Sequence, residues 1–267
     1  MNGNNRIAHR RRGVSIQPRD FTLLSELAVL RVADREQLKI VAGFQSTTRI
    51  NARLLALYRA GLLRRFFLGS GGGRRALYAL SKKGAQSVGV PCRGPRRPQN
   101  TPLVADFFVQ HQLAVNDIYC ALKFDAIPVP RVRYVNWLSF FEPLATTIRL
   151  IPDGYVEFAT PTGIDASFVE VDLGHESLKV WREKTRRYVQ LAVSGTYERQ
   201  FKQPRFRVLV LANSLRRLQS IRAGVAEVTQ KIFWFATLDA ARGERFFAPV
   251  WLRPIEEAHQ PLFKETP

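Results

Sequence analysis

The chain has 267 residues and a formal net charge of +19, and 46% of its residues are hydrophobic. The first hundred residues hold 20 of the 41 Lys and Arg residues but only four of the 22 Asp and Glu residues. Charge of one sign at one end of a chain indicates a polyanionic partner, and nucleic acid is the leading candidate. An anionic membrane comes second, because the sequence contains no long apolar span and no signal-peptide pattern.

The cysteines and histidines exclude several kinds of site. Cys92 and Cys120 are the two cysteines of the chain, and neither belongs to a Cys-x-x-Cys pair. Their spacing excludes a disulfide framework and a cysteine-based zinc site, and it fits a protein of the reducing cytoplasm. The four histidines do not show the His-x-x-x-His spacing of a metal site.

A proline-rich segment divides the chain. Residues 91–102 contain four prolines and no hydrophobic periodicity, which predicts an extended linker between two domains. The predicted organisation is a disordered basic arm over residues 1–15, a small domain over residues 16–90, the linker, and a larger domain over residues 103–267.

Three helices and a hairpin are predicted in the first domain. Asp20 begins the first helix, Asp34 caps the second and Ser46 caps the third. Two strand-like runs follow at residues 62–68 and 75–80, joined by a glycine-rich loop. This order resembles a winged helix-turn-helix, in which the third helix enters the major groove of DNA and the hairpin lies on the backbone.

The exposed residues of the third helix and the hairpin suit contact with double-stranded DNA. Arg pairs with guanine and Asn with adenine through two hydrogen bonds, and further Arg side chains bind phosphates. The alternative is a solvated basic face on a winged helix that binds another protein. The predicted DNA-binding residues are Arg10, Arg11, Arg12, Thr47, Thr48, Arg49, Asn51, Arg53, Arg64, Arg65, Arg74 and Arg75.

The second domain begins with a helix and a run of strands, after which helices and strands alternate. This order is typical of an α/β sandwich with a mixed central sheet. The predicted helices cover residues 105–124, 176–193 and 214–229, and the predicted strands cover residues 131–138, 146–150, 154–159, 167–173, 206–212 and 232–238.

Polar residues are predicted in the core of this sandwich. Alternation along residues 167–173 places Glu170 and Asp172 on one face of a buried strand, where carboxylates require a partner or a function. Asp153 opens the preceding strand and is expected to reach Glu170. Lys184 lies on the inward stripe of the following helix. We therefore expect three acids and a lysine to converge on one end of the sheet.

This constellation resembles the PD-(D/E)XK nuclease superfamily. Pro152-Asp153 matches the first motif, and Glu170-Val171-Asp172 stands at the second, with Asp172 in place of the family's lysine. Lys184 is placed to be a lysine that has moved to the next helix. The resemblance implies a restriction-endonuclease-like sandwich, catalytic roles for Asp153, Glu170, Asp172 and Lys184, and Mg²⁺ or Mn²⁺ held by Asp153 and Glu170.

A second resemblance covers nearly the whole chain. The chain is similar to the replication-relaxation family of plasmids and integrated mobile elements, which implies a role in replication, DNA relaxation or mobilisation. It also implies a relaxase, a replication protein or a second copy of the chain as a partner. The motifs that carry it are the winged helix, His111-Gln-Leu-Ala-Val-Asn-Asp117, Pro152-Asp153, Phe168-Val-Glu-Val-Asp172, Glu176 and Lys184-x-x-x-Tyr188.

Other interpretations of these residues stay open. Glu170 and Asp172 also fit a buried ion-pair network with Lys184 or Arg186 and Arg187, retained in a protein that has lost catalysis. Such a protein would be a DNA-binding accessory or regulatory factor rather than a nuclease or nickase. For His111 we favour a core position over a site role, and for Tyr188 packing against the sheet. Residues 215–222 are interpreted as an amphipathic helix with a solvated basic face.

Overall fold

A computed structural model describes residues 15–68, 75–94 and 107–263. The chain divides into two compact units, Met1–Asp106 and Phe107–Pro267. Several predicted features lie outside the described residues. These are most of the basic arm with Arg10, Arg11 and Arg12, the glycine-rich loop with Arg74, and most of the proline-rich linker.

The first unit contains three helices, a hairpin and a short final helix. The predicted order of three helices followed by a hairpin is confirmed. The short β1 pairs with β3, which also pairs with β2, and all of these pairings are antiparallel. The elements are α1 (Pro18–Leu30), β1 (Ala33–Asp34), α2 (Arg35–Val41), α3 (Thr47–Arg59), β2 (Leu63–Leu68), β3 (Arg75–Leu80) and α4 (Lys82–Ser87).

The helices α2 and α3 begin at the capping residues that the sequence predicts, and α1 begins slightly earlier than predicted. Asp34 accepts a hydrogen bond from the Gln37 N–H at 2.8 Å and caps α2, and Ser46 caps α3. The first helix begins at Pro18, two residues before the predicted start. Asp20 is the third residue of that helix and accepts a hydrogen bond from the Gln17 N–H at 2.6 Å, which forms a capping box.

The second unit is an α/β sandwich with a mixed five-stranded sheet, as predicted. The strand order follows the chain, with β4, β5 and β6 antiparallel and β6, β7 and β8 parallel. The elements are α5 (Phe107–Phe124), β4 (Arg133–Leu138), β5 (Gly154–Thr160), β6 (Gly163–Asp172), α6 (Leu178–Val193), α7 (Thr196–Phe201), β7 (Arg207–Ala212), α8 (Leu215–Ala226) and β8 (Phe233–Thr237).

The main core of this unit lies between the sheet and α6, α7 and α8. Phe168 of β6, Tyr188 of α6 and Ile221 of α8 belong to one cluster, and each side chain is fully buried. Phe168, Glu170 and Asp172 alternate along β6 and therefore face these helices, as the sequence predicts. The helix α5 contacts β4 and β6. The sheet thus carries two acidic residues toward the core that it forms with these helices.

In the second unit, the segment at residues 146–150 and the helix α7 differ from the sequence prediction. Residues 146–150 were expected to form a strand, but the segment forms an isolated bridge between Ala145 and Ile148 and a local hydrogen bond from the Leu144 N–H to the Leu150 carbonyl. The Arg149 carbonyl accepts a hydrogen bond from Arg187, so these backbone groups are used without a neighbouring strand. The helix α7 was not predicted, because six residues are too few to show a helical period.

Arg53 connects two helices of the first unit. Its Nε donates to Asp20 Oδ1 at 2.6 Å, its Nη2 contacts Asp20 Oδ2, and Nη2 also donates to the Ser15 carbonyl at 2.8 Å. The Asp20 side chain is 1% exposed. The prediction that Arg53 reads DNA is therefore corrected, because its guanidinium is used to neutralise a buried carboxylate on α1.

This correction predicts that Arg53→Met destabilises the first unit. Removing one partner of a buried ion pair costs about 3 kcal/mol at the lower end of the known range. Hydrogen exchange of the α1 and α3 amides measures this loss within the unit. The control is Arg49→Met on the exposed face of α3, for which we expect a change of at most about 0.5 kcal/mol. Equal protection in the two variants would contradict the structural role.

Candidate functional site

One end of the sheet brings together the start of β5, the end of β6 and the helix α6. Asp153 immediately precedes β5, and its Oδ2 accepts a hydrogen bond from the Val171 N–H at 2.7 Å. This bond follows from the antiparallel register, in which Gly154 lies opposite Val169. Asp153 is consequently fixed beside the strand that carries Glu170.

Glu170 is held from two sides by α6. Its side chain is 1% exposed, and its Oε2 accepts a hydrogen bond from Lys184 Nζ at 3.0 Å. Its Oε1 accepts a hydrogen bond from the Tyr188 hydroxyl at 2.5 Å. Ser177 caps α6, and residues four apart share one helix face, so Lys184 and Tyr188 reach the same carboxylate. Tyr188 is thus a hydrogen-bond donor to the site as well as a packing residue.

Lys184 has further contacts that fix its ammonium group. Its Nζ donates to Glu176 Oε2 at 2.9 Å and lies 4.7 Å from the centre of the Trp181 ring. The structure therefore places Lys184 next to Glu170, as expected from its position on the inward stripe of α6. Glu176 was named in the family resemblance but was not predicted to take part in the site.

His111 is also part of this cluster. Its Nε2 lies 3.1 Å from Asp153 Oδ2 and 3.0 Å from the Val171 carbonyl oxygen. Because both oxygens are acceptors, Nε2 carries the hydrogen in this arrangement. One third of the side chain is exposed, so the interpretation of His111 as a core residue is wrong. Its position in the motif of the family resemblance was the signal that pointed to a site role.

Asp172 points to different partners. Arg217 donates to it through Nε at 2.7 Å and through Nη2 at 2.8 Å, and the Trp181 indole donates at 2.7 Å. The Gly174 N–H adds a fourth hydrogen bond at 2.6 Å. The structure therefore does not bring Asp172 into the group formed by Asp153 and Glu170. Its carboxylate is committed to a two-pronged ion pair with α8.

The partner of Asp172 was not anticipated from the sequence. Arg187 contacts Glu183 and the Arg149 carbonyl, whereas α8 supplies the ion pair through Arg217. The interpretation of residues 215–222 as a solvated basic face is therefore wrong in part. Arg217 is used in the ion pair with Asp172, and Arg222 is only 8% exposed and donates to the Arg253 carbonyl at 2.7 Å.

The electrostatics distinguish the two acids of β6. Burial raises the pKa of Glu170 to about 7; the charge of Lys184 opposes this rise, and the charge of Asp153 adds to it. Burial also acts to raise the pKa of Asp172, but hydrogen bonds from Arg217 and Trp181 hold it below its usual value. Of the two acids, Glu170 therefore has the negative charge that its hydrogen-bond and ion-pair partners compensate less.

In the two bases of the site, Lys184 and His111, the acidic neighbours outweigh the effect of burial on the pKa. Burial acts to lower the pKa of Lys184, but the charges of Glu170, Asp153 and Glu176 raise it overall. Burial likewise acts to lower the pKa of His111, and its hydrogen bond with Asp153 raises it overall. Lys184 is therefore a cation at neutral pH, and its charge is available to the site.

The oxygen donors of this cluster fit a hard divalent cation. Within residues 15–68, 75–94 and 107–263, no three His, Cys, Asp or Glu side chains form a metal-binding group. Mg²⁺ does not need such a group, since it keeps several waters and binds through one or two carboxylates. Asp153, Glu170 and the adjacent Val171 carbonyl supply oxygen ligands of the required kind.

The predicted DNA-binding residues of the first unit fall into two groups. Thr47, Thr48, Arg49 and Asn51 are exposed together in the first turns of α3. The hairpin arginines are each in contact with another side chain. Arg64 lies 4.9 Å from the Phe66 ring, Arg65 lies 4.6 Å from the Tyr58 ring, and Arg75 pairs with Asp34. Arg75 stays half exposed, so its charge is still accessible.

Comparison with known proteins assigns the family. A model of the replication-relaxation family matches residues 24–203, which include most of the first unit and the whole cluster around Glu170. The chain belongs to the replication-relaxation family. The resemblance stated from the sequence motifs is thereby confirmed.

The other comparisons of this replication-relaxation protein are more distant. Restriction endonuclease FokI is similar to it with a TM-score of 0.31 and 11% sequence identity, over 83% of this chain and 42% of the FokI chain. The chain thus spans less than half the length of the FokI chain. No curated protein sequence matches significantly. Among the residues that the structure describes, no helix is long and apolar enough to cross a membrane.

The ion pair of Asp172 predicts a stability effect in this replication-relaxation protein. Arg217→Met leaves a buried carboxylate without its cation, and we expect a loss of about 3 kcal/mol in the free energy of unfolding at neutral pH. The matched control is Arg216→Met, since Arg216 is exposed on the same helix. Urea unfolding monitored by hydrogen exchange in β6 and α8 measures the difference.

The same variant has an expected pH dependence. The folded state lowers the pKa of Asp172 below its ordinary value of 3.8. The ion pair therefore stabilises the fold above pH 3.8, and its contribution is lost as the pH falls through the lower pKa of the folded state. The difference between wild type and Arg217→Met should shrink in that acidic range. A difference that grows on acidification would contradict this role for Asp172.

Proposed function

We propose that this replication-relaxation protein binds double-stranded DNA through its first unit and cleaves or nicks DNA through its second unit. The observation that carries the proposal is the meeting of Asp153, Glu170 and Lys184 at one end of the sheet. A carboxylate pair with a neighbouring lysine suits metal-dependent phosphodiester hydrolysis. The setting would be the replication, relaxation or mobilisation of a plasmid or mobile element in the cytoplasm, with a relaxase or replication protein as a partner.

Each residue of the cluster has a role in this mechanism. Asp153 and Glu170 would hold Mg²⁺ or Mn²⁺, which would supply an activated water and stabilise charge on the phosphate. The Tyr188 hydroxyl fixes the orientation of the Glu170 carboxylate, and the Val171 N–H fixes that of Asp153. Lys184 keeps a positive charge next to the carboxylates, where it would face the scissile phosphate.

DNA binding is assigned to the first unit because of its charge and its exposed α3 face. The first hundred residues carry a net charge of +16, and phosphate contacts release counterions when such a surface binds. Thr47, Thr48, Arg49 and Asn51 are the exposed α3 residues that would reach the major groove. Arg64, Arg65 and Arg75 of the hairpin would contact the backbone.

A second candidate function is a non-catalytic DNA-binding accessory factor. One observation favours it: both carboxylate oxygens of Glu170 already accept hydrogen bonds, from Lys184 and from Tyr188. A metal would have to compete with Lys184 for the same carboxylate. In this case the buried network would stabilise a domain that contacts a partner protein.

The DNA-binding assignment predicts that Arg49→Ala and Asn51→Ala each weaken duplex binding by about 1–3 kcal/mol if the side chain reads a base. Binding should also weaken steeply as salt is raised, because each phosphate contact releases a condensed counterion on binding. Fluorescence anisotropy with a labelled duplex measures both effects. Arg216→Ala, which removes an exposed arginine from the second unit, is the control. A larger loss in the control than in Arg49→Ala would reverse the assignment.

The catalytic assignment predicts that Glu170→Gln abolishes Mg²⁺- or Mn²⁺-dependent nicking of supercoiled DNA while duplex binding persists. Lys184→Met keeps the apolar stem and should slow cleavage about 10²–10³-fold, since it removes electrostatic stabilisation of the transition state. Mn²⁺ should raise the melting temperature of wild type relative to EDTA, and Asp153→Asn should remove that shift. Cleavage by Glu170→Gln would contradict the site. An Mn²⁺-independent melting temperature, together with no cleavage by wild type, would favour the accessory function.

A further inference from the structure

A cleft lies at the opposite end of the sheet from the cluster around Glu170. It has a volume of about 760 Å³ and is lined by the loops before β4 and β7, the end of β5 and the start of β6. Asp165 lines the cleft and is five residues from Glu170 on β6, which corresponds to roughly 16 Å along the strand. Clefts of this size are typical of small-molecule sites. It is separate from the proposed nuclease site.

Positive charge in this cleft is not balanced by the protein. Arg131, Arg205 and Arg207 line it, with Asp165 as its acid. Arg207 pairs with Asp165 and donates to the Leu262 carbonyl at 2.5 Å. Among the described residues, Arg131 and Arg205 make no ion pair within 4 Å and donate no side-chain hydrogen bond, so two guanidinium groups have no direct partner.

The backbone and the crowding of charge add to this arrangement. Arg131 has a φ of 59°, a left-handed conformation that is unfavourable for a residue with a side chain. Burial lowers the pKa of Arg207; the ion pair with Asp165 acts to raise it, and the nearby charge of Arg205 acts to lower it. A bound anion would relieve the repulsion between these two arginines. The fold therefore gathers Arg131, Arg205 and Arg207 around one acid, Asp165.

An aromatic and apolar wall faces the same space. Trp234 is partly exposed, and the guanidinium groups of Arg253 and Arg207 lie 4.9 Å and 5.1 Å from its ring centre. Val132 and Phe263 complete the apolar lining. Aromatic rings bind the flat faces of nucleobases, and arginines bind phosphate. One cleft thus offers both kinds of contact that a nucleotide unit requires.

We propose that this cleft binds a nucleotide unit, with its phosphate on Arg131 and Arg205 and its base on the wall that contains Trp234. The unit comes either from a free nucleotide or from a single DNA strand, which share this chemistry. Arg207 is assigned a structural role in the cleft rather than a contact with the phosphate, because its guanidinium already pairs with Asp165. The proposal does not depend on catalysis at Glu170 or on duplex binding by the first unit.

The test compares three probes by isothermal titration calorimetry on the full chain: dAMP, a short oligo(dA) strand and inorganic phosphate. Arg205→Met removes one charge, and Arg131→Gly removes the other while suiting the left-handed backbone. Each should weaken nucleotide binding about tenfold, as expected for a lost charge-assisted hydrogen bond. The control Arg216→Met should bind as wild type does. Melting temperatures verify that the variants fold.

The probes distinguish the two sources. If dAMP binding is weakened by both variants, the ligand is a free nucleotide; if only oligo(dA) binding is weakened, it is a strand. Unchanged affinities for all probes in Arg205→Met and Arg131→Gly would overturn the proposal. It would also be overturned if inorganic phosphate bound as tightly as dAMP, because the aromatic wall would then contribute nothing.

Discussion

The burial of Glu170 is the constraint on which the architecture of the second unit depends. A carboxylate on the inner face of a central strand is stable only if donors reach both of its oxygens. Lys184 and Tyr188 supply those donors from one face of α6, and this requires the helix to pack over β6 in a single register. Lys184 is in turn held by Glu176, just before the helix begins. Electrostatics therefore position this helix as firmly as apolar packing does.

Asp172 shows how the same strand accommodates a second acid in another way. Its two carboxylate oxygens are taken by the fork of Arg217, and the pair ties β6 to α8. The two acids of β6 thus connect the sheet to two different helices. This separation keeps Asp172 away from Asp153 and Glu170, and an anionic side chain cannot supply the positive charge of a lysine. The positive charge beside Glu170 comes from Lys184 on α6.

Local signals in the sequence predicted most of the fold. Caps at Asp34 and Ser46, alternation along β6 and the apolar stripe of α6 each depend on neighbouring residues, so they can be identified without the structure. The same signals placed Lys184 beside Glu170 correctly. They failed for the segment at residues 146–150, whose backbone forms hydrogen bonds within its own loop and with Arg187 rather than in the sheet.

Long-range pairing accounts for the other failures. Arg217 is 45 residues from Asp172, and Arg53 is 33 residues from Asp20, so no periodicity connects either pair. An arginine on an amphipathic helix has the same appearance in sequence whether it contacts solvent, DNA or a buried acid. His111 was misjudged for a related reason, since its apolar neighbours on α5 indicated a core position. The structure places its Nε2 against Asp153 and the Val171 carbonyl, and in the sequence the family motif was the one signal of this site.

If α3 binds DNA as we propose, the use of Arg53 as an internal support limits which bases the helix can contact. The exposed residues from Thr47 to Asn51 span four helical steps, about 6 Å along the axis. Base pairs of duplex DNA are stacked 3.4 Å apart, so this stretch covers roughly two of them. A contact with two base pairs matches many DNA sequences and so gives little specificity by itself. Recognition of a unique origin or transfer site would then require a second reading surface, supplied by the hairpin, a partner protein or another copy of the chain.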